Sequence, residues 1–185
     1  MQHLMIDLET LSTAKNAVIL SLAAGVFDPF GEVMGNSIYL GLDLNTQIEL
    51  GGDIDGGTVL WHLDKERKDL PRPALPIELV LKQLAVFYKR EDCRRIWSNG
   101  ATFDIPIVEF YFKRLGLPFP WHYGDARDTR TAYEIAGWDE SPTRSRATHD
   151  ALEDVALQIK FLQKAYALIE THPFGKTKVK REEKF

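Results

Sequence analysis

The stretch HLMIDLET, residues 3–10, places two acids at the end of a short apolar run. The pattern predicts a strand over residues 3–6 that ends at Asp7. Because side chains two residues apart on an extended chain lie on the same side, Asp7 and Glu9 can converge on one point. Considered alone, this stretch is equally well interpreted as a solvated strand end followed by a Thr10 cap.

Two more acid-bearing segments follow later in the chain. NGATFD, residues 99–104, leads into a predicted helix, and HDALED, residues 149–154, opens the last predicted helix. Each segment lies where a strand changes to a loop or a loop changes to a helix. The fold can therefore bring the acids of the three segments to one point. Converging carboxylates repel one another in a dry cleft unless divalent cations neutralise them. The pattern therefore predicts metal-ion catalysis on a phosphate ester by Asp7, Glu9, Asp104 and Asp154.

The three segments resemble the three exonuclease motifs of the DnaQ-like (DEDDh) 3′-5′ exonuclease superfamily, which has the ribonuclease H-like fold. The shared pattern is Asp-x-Glu-Thr on a first strand, Asn-x-x-x-Phe-Asp at a turn into a helix, and His-x-Ala-x-x-Asp at the start of a late helix. All three occur in this order between residues 7 and 154, so the resemblance covers most of the chain.

The resemblance implies a set of metal ligands and a general base. Asp7, Glu9 and Asp154 would hold the cation that activates water, and Asp7 and Asp104 would reach a second cation beside the leaving 3′ oxygen. The implied cofactor is a pair of Mg²⁺ or Mn²⁺ ions, since such hard cations prefer oxygen ligands. His149 would be the base, because imidazole exchanges a proton near neutral pH. Without the motif around it, His149 is more simply a cap or a surface residue.

Two acids near the motifs are interpreted as helix caps. Asp150 competes with Asp154 for the site, since residues four apart share a helix face. We assign the ligand role to Asp154, which adjoins Val155 on the apolar stripe, and the cap to Asp150, which suits the helix N-terminus. Asp128 is likewise predicted to be the N-cap of the preceding helix.

The resemblance also implies where the terminal nucleotide binds. Thr10, Leu11 and Phe103 would receive it, together with Asn99, and backbone amides near Thr10 would contact the 3′ hydroxyl. An apolar wedge against the base would tolerate any sequence. For Phe103, a place in the core is an equal alternative.

The sequence does not assign a single role to Trp61, Arg127 or Arg130. Trp61, with His62 and Arg67, resembles a Trp-rich helical segment of a phage and bacterial branch of the superfamily, although that branch often has a second Trp at position 62. Trp61 is either core packing or a stacking surface for a base. Arg127 and Arg130 are either phosphate contacts or surface charges.

The composition indicates one globular domain. The chain has 185 residues, of which 44% are hydrophobic and 11% aromatic, and we expect a single exonuclease domain over 1–172 with a basic, flexible tail over 173–185. One cysteine cannot form an internal disulfide, which fits a reducing compartment. The longest apolar stretch, 17–27, is too short to span a membrane, and the N-terminus lacks the pattern of a secretory signal. We therefore expect a cytoplasmic protein of a bacterium or a phage-infected host.

The coarse order of elements predicts the fold class. Strands over 3–6, 18–27 and 35–40 form a meander, followed by a loop over 45–57, a helix over 58–69 and an amphipathic helix from residue 77. A strand over 94–98, a helix from Asp104 to Gly116, a strand near Tyr123 and helices over 129–136 and 150–169 complete the chain. We predict an α/β, ribonuclease H-like mixed five-stranded sheet, an antiparallel meander and then parallel strands, with helices on both faces.

These features together predict a metal-dependent 3′-5′ exonuclease that releases nucleoside 5′-monophosphates from single-stranded 3′ ends, with DNA favoured slightly over RNA. A formal net charge of −4 argues against binding nucleic acid through an overall positive field. An exoribonuclease or oligoribonuclease is the alternative within enzymes, since recognition of a 2′-hydroxyl needs only a few polar contacts. An inactive nucleic-acid-binding module is the alternative of another class. The oligomeric state is open, with a homodimer as one option, and no membrane partner is expected.

Overall fold

A computed structural model describes residues 1–64, 70–138 and 148–171 of the chain. The strands are β1 His3–Thr10, β2 Ile19–Phe27, β3 Met34–Gly41, β4 Ile96–Ser98 and β5 Ala126–Asp128. The helices are α1 Leu44–Ile48, α2 Gly56–Leu63, α3 Ile77–Arg90, α4 Asp104–Arg114, α5 Thr129–Ile135 and α6 Ala151–Thr171, with a 3₁₀ turn at Tyr123–Asp125. No helix among these residues is long and apolar enough to cross a membrane.

The strands form one five-stranded sheet in the order β3-β2-β1-β4-β5. β1 pairs antiparallel with β2, and β2 with β3, whereas β4 lies parallel to both β1 and β5. The predicted mixed sheet, an antiparallel meander followed by parallel strands, is thus confirmed. β1 lies in its centre, where the pairing changes from antiparallel to parallel.

The alternation of side chains along β1 divides the core into two layers. Leu4, Ile6 and Leu8 belong to one apolar cluster, which contains the buried residues of α3 and α4. Met5 belongs to the other, with the buried residues of α5 and α6. Helices therefore cover both faces, as predicted. Because Asp7 shares the parity of Met5, it lies on the face that α6 covers.

α3 confirms the predicted amphipathic helix. The residues of its predicted apolar stripe are all buried, namely Ile77, Val80, Leu81, Leu84, Phe87 and Tyr88. Glu78 lies in the first turn, and Lys89 and Arg90 lie in the last, which suits the helix dipole at both ends.

α6 packs on the sheet at close range because β2 has a glycine beneath it. Val155, Ile159 and Leu162 are buried, which confirms most of the predicted stripe. A Cβ atom built on Gly25 would lie 2.8 Å from Cγ1 of Val155 and 3.1 Å from Cδ1 of Ile159. Any larger residue at this position would push α6 away from the sheet.

Three predicted boundaries were wrong. β1 continues through Asp7 to Thr10, because β2 offers antiparallel partners along this whole length. The predicted loop over 45–57 contains helix α1, whose first turn is capped by the side chain of Asp43. The strand predicted near Tyr123 is a 3₁₀ turn, and β5 starts three residues later.

Other predictions concern residues outside the described ranges. The helix predicted over 58–69 begins at Gly56 and is described as far as Leu63. Three stretches lie outside the described residues. They are residues 65–69, which include Arg67; most of the predicted polar loop over 138–147; and the predicted tail over 173–185. The domain bounds of 1–172 stay a prediction.

We predict that Gly25→Ala lowers the free energy of unfolding by about 1–3 kcal/mol, because the added methyl group overpacks the contact between β2 and α6. Urea denaturation of the two proteins measures the difference. Gly56→Ala is the matched control, since no atom lies within 4 Å of a Cβ built there. Equal stability of wild type and Gly25→Ala would contradict the close packing of α6.

Candidate active site

A cavity of about 590 Å³ opens at the carboxyl end of β1. The predicted catalytic residues all lie on its wall: Asp7, Glu9, Asp104, His149 and Asp154. Three segments that are far apart in sequence thus meet at one place. Their assignment as catalytic residues and metal ligands stays a prediction, but the convergence on which it depends is present.

The cavity forms because β4 ends before β1 does. The pairing of β1 with β4 ends at Met5 opposite Trp97, so β1 has an open edge beyond that point. There the backbone N–H of Leu8 donates to Oδ1 of Asp104 at 3.2 Å. This bond fixes the first residue of α4 beside β1. Crevices at the carboxyl ends of strands, where the strand order reverses, are the usual ligand sites of α/β sheets.

The backbone before α6 folds around the carboxylate of Asp154. The N–H groups of Thr148 and His149 donate to its two oxygens at 2.9 and 3.2 Å. His149 has a left-handed backbone, with φ of 57°, which turns the chain at this point. His149 and Asp154 can therefore face the same cavity. On a regular helix, two side chains five residues apart would point in different directions.

Glu9, His149 and Asp154 form a group of ligand atoms that could hold a metal ion. One nitrogen or oxygen atom from each lies within 4.8 Å of the others. Glu9 and Asp154 are buried, whereas His149 is exposed. The group can hold a cation with both carboxylates, and the imidazole can serve it either as a third ligand or as a proton acceptor.

Burial raises the affinity of Asp7 and Asp104 for protons, and neighbouring carboxylates add to the effect at Asp7. Burial and the neighbouring carboxylate of Asp104 raise the pKa of Asp7 well above its ordinary value, with smaller contributions from Asp154 and Glu9. Burial raises the pKa of Asp104 to about 7, although the N–H of Leu8 opposes the shift. Without a counter-ion, the site resists the ionisation of its own acids.

This donor set fits a hard divalent cation. It offers carboxylate oxygens and the imidazole of His149, while Nε2 of the other cavity histidine, His62, lies 2.7 Å from the backbone oxygen of Thr10. Cys93 is buried elsewhere, in the core below α3. Mg²⁺ and Mn²⁺ prefer oxygen ligands, and a cation would neutralise the repulsion that raises these pKa values. The electrostatics and the ligand chemistry of the cavity therefore both favour a hard divalent cation.

The predicted nucleotide-binding residues are only partly brought together. Thr10, Asn99 and Phe103 line the cavity. Phe103 also packs against the core cluster of α3 and α4, which supports its place in the core, and its contact with a nucleotide stays a prediction. Leu11 does not line the cavity. Its side chain is buried, and its backbone N–H donates to Val18 rather than towards a ligand.

Asp150 caps the N-terminus of α6, as predicted. Oδ1 of Asp150 accepts from the N–H groups of Leu152 and Glu153 at 3.1 and 3.0 Å, in the first turn of α6. The other oxygen of Asp150 accepts from the hydroxyl of Tyr39. Asp154, one turn later, is left to the cavity. The cap predicted for Asp150 is thus observed, whereas the ligand role of Asp154 stays a prediction.

Asp128 caps α5 and also holds the loop of the second motif. Its Oδ1 accepts from the N–H of Arg130 at 2.8 Å, and its Oδ2 from the N–H of Ala101 at 3.0 Å. Beside it, the hydroxyl of Thr129 donates to the side-chain oxygen of Asn99 at 2.9 Å. The junction of β5 and α5 therefore supports the loop that delivers Asp104.

The two arginines left open by the sequence have different surroundings. Arg127 donates to the backbone carbonyls of Gly124 and Ala126 at 2.7 and 2.8 Å, which is a structural contact. Arg130 lies against the second-motif loop, since its guanidinium carbon is 3.3 Å from a Cβ built on Gly100. Of these two arginines, Arg130 is therefore the one beside the loop that leads to Asp104, and its charge opposes the rise in the pKa of that acid.

α2 brings two aromatic side chains to the cavity. The ring centroid of Trp61 lies 4.8 Å from that of His149, with the ring planes at 88°. Nε2 of His62 lies 2.7 Å from the backbone oxygen of Thr10. Trp61 thus contacts the predicted base, a role that the sequence did not indicate, because α2 and α6 are far apart in the chain.

Gln158 is a cavity residue that the sequence analysis missed. It lies on α6 one turn after Asp154, and its Nε2 donates to Oδ1 of Asp7 at 2.7 Å. The spacing of four residues from Asp154 would place it on the same helix face, and this signal was available in the sequence.

We predict that the metal-free protein loses stability as the pH rises. The pKa of Asp104 is about 7 when folded and about 4 when unfolded, so its contribution is present below pH 4 and is lost as the pH rises through 7. Between pH 5 and pH 8 in EDTA, wild type should lose about 1–3 kcal/mol more than Asp104→Asn in urea denaturation. Saturating Mg²⁺ at pH 8 should stabilise wild type more than Asp104→Asn, because the variant lacks a ligand of one of the two cations. An equal pH dependence of the two proteins would contradict the shift.

The sequence was compared with known protein families. The model of the 3′-5′ exoribonuclease Rv2179c-like domain matches residues 2–166, which is most of the chain. No curated protein sequence matches significantly.

Solved structures similar to this fold include several of exonuclease I. The zinc-bound E. coli exonuclease I complex with single-stranded DNA has a TM-score of 0.64 and 15% identity, and the match covers 93% of this chain and 41% of that one. The E. coli exonuclease I complex with a dA16 oligonucleotide has a TM-score of 0.62 and 16% identity, with 92% and 43% coverage. A product-bound exonuclease I has a TM-score of 0.62 and 13% identity, with 92% and 46% coverage. This chain therefore spans less than half of the exonuclease I chains, and the likeness concerns the fold.

Proposed function

The chain belongs to the 3′-5′ exoribonuclease Rv2179c-like domain family, and on that basis we propose that it is a metal-dependent 3′-5′ exonuclease of single-stranded nucleic acid. The proposed reaction is hydrolysis of the terminal phosphodiester, with release of a nucleoside 5′-monophosphate. The observation that carries the proposal is the convergence of four carboxylates and His149 on one cavity at the end of β1.

Asp7, Glu9, Asp104 and Asp154 would hold two Mg²⁺ or Mn²⁺ ions, which when bound neutralise phosphate charge and make water more acidic. The protein contributes the placement of these acids. Asp104 is held by the N–H of Leu8, and Asp154 by the N–H groups before α6. Acids held in this way keep their geometry whether or not their charges are neutralised, which lowers the cost of assembling the site.

His149 is the proposed general base. Its ring has one nitrogen within 4.8 Å of an oxygen of Glu9 and of Asp154, so it lies beside the place where water would attack. Trp61 contacts the ring edge-on, and the backbone of His149 is tied to Asp154. The imidazole can thus accept the proton of the attacking water while it stays at the rim of the cavity, where the proton can pass to solvent.

The terminal nucleotide would lie between apolar walls. Phe103 and Trp61 line the same cavity as the acids and offer ring surfaces to a base. Stacking on such surfaces tolerates every base, because each base has an aromatic face. Arg130, beside the second-motif loop, would contact a phosphate of the strand. A paired end would not present an unstacked base to these rings.

RNA is the second candidate substrate because the family description names an exoribonuclease. The exonuclease I structures, by contrast, include complexes with single-stranded DNA. The slight preference for DNA expected from the sequence stays a prediction. Digestion of matched 3′-labelled and 5′-labelled DNA and RNA oligonucleotides, with Mg²⁺ or Mn²⁺, tests the polarity and the sugar together. A circular substrate tests the need for an end.

We predict that Asp7→Asn, Glu9→Gln, Asp104→Asn and Asp154→Asn each remove most of the hydrolysis and leave the protein folded, because each substitution removes a ligand and also relieves repulsion. The thermal stability of the metal-free variants should hold or rise. EDTA should stop wild type, and Mg²⁺ or Mn²⁺ should restore it. The matched control is Glu153→Gln, an exposed acid next to Asp154, which should keep its activity. Activity after exhaustive chelation would contradict metal dependence.

We predict that His149→Ala lowers the single-turnover rate by about 10² to 10⁴ and leaves metal affinity nearly intact, as expected of a general base. Metal titration by calorimetry, run beside the rate measurements, separates a base from a ligand. His122→Ala, at the exposed 3₁₀ turn, is the control and should leave the single-turnover rate and the metal affinity unchanged. An unchanged rate would reject the base role, and a parallel loss of metal binding would make His149 a ligand.

A further inference from the structure

Gln158 has the surroundings of a residue that serves the site. It is only 3% exposed, lies one turn after Asp154 on α6, and lines the cavity. Its Nε2 donates to Oδ1 of Asp7 at 2.7 Å, across 151 residues of sequence. The bond joins the helix that carries the third motif to the strand that carries the first.

Packing alone does not explain a glutamine at this position. Oε1 of Gln158 is buried and has no hydrogen-bond partner among the residues that the structure describes. A buried acceptor without a partner is unfavourable, and an apolar side chain of similar length would fill the space without that cost. The only described bond of the Gln158 carboxamide is the one to Asp7.

A second buried glutamine on the same helix shows the contrast. Gln163 is 7% exposed, and its Nε2 donates to the backbone oxygens of Asp28 and Val33 at 2.9 and 3.3 Å. These contacts fasten α6 to the loop between β2 and β3, away from the cavity. Gln163 is a structural residue of the same type, burial and helix, and it is therefore a matched control.

We propose that Gln158 is a positioning residue, which holds the carboxylate of Asp7 in the orientation that binds the cations. The N–H group fixes one oxygen of Asp7, so the carboxylate does not need to be ordered when a cation binds. Asp7 is the acid implied for both cations, so its orientation affects both sites. The inference rests on the proposed metal-dependent function. Partners that orient a ligand in this way typically change metal affinity or activity by about 10- to 100-fold when they are replaced.

The test is calorimetric titration of the metal-free chain, residues 1–185, with Mn²⁺. Gln158→Met keeps the length of the side chain and removes its N–H donor, and it should weaken Mn²⁺ binding by about 10- to 100-fold. The apparent Mg²⁺ requirement of hydrolysis should rise by a similar factor, with a smaller change in the rate at saturating Mg²⁺. Gln163→Met should leave Mn²⁺ affinity unchanged even if it lowers the stability.

Gln158→Leu serves as a second variant if Gln158→Met does not fold, and urea denaturation identifies the folded proteins. Unchanged Mn²⁺ affinity in a folded Gln158 variant would overturn the positioning role. Equal losses of affinity in the Gln163 variant would also overturn it, because they would show a general effect of disturbing α6. Absence of Mn²⁺ binding by wild type would instead contradict the proposed metal-dependent function itself.

Discussion

The repulsion between carboxylates at the end of β1 is the constraint on which the rest of the site depends. Asp7 and its neighbours lie in one cavity, where burial raises the pKa of both Asp7 and Asp104, and the neighbouring carboxylates raise that of Asp7 further. Such a cluster persists only when the fold holds each acid in place by other means. The hydrogen bonds around these side chains supply this restraint, and a divalent cation can then use a site that is already assembled.

Each acid is restrained by a different part of the fold. Asp104 accepts the N–H of Leu8, which is available because β4 is too short to pair with it. Asp154 accepts two N–H groups from the turn before α6. Asp7 accepts the carboxamide of Gln158. The close packing of α6 over Gly25 makes the last of these arrangements possible, since it brings this helix within hydrogen-bond distance of β1.

The surroundings of His149 and of the second motif come from segments outside the three motifs. α2 contributes Trp61, which contacts the ring of His149, and this helix has no buried residue of its own. The junction of β5 and α5 contributes Asp128, whose carboxylate holds the loop before α4. The motifs therefore provide the reacting groups, and the neighbouring elements determine their positions.

The sequence by itself determined the sheet, the order of its strands in the meander, the long amphipathic helices and the acids that meet in the cavity. These features depend on local periodicity and on motif spacing, which one sequence contains. Only the tertiary structure decided that β1 continues to Thr10, that Leu11 does not line the cavity, and that Gln158 donates to Asp7. These outcomes depend on contacts between residues far apart in the chain, such as the pairing of β1 with β2, and such contacts leave no periodic pattern in the segments that make them.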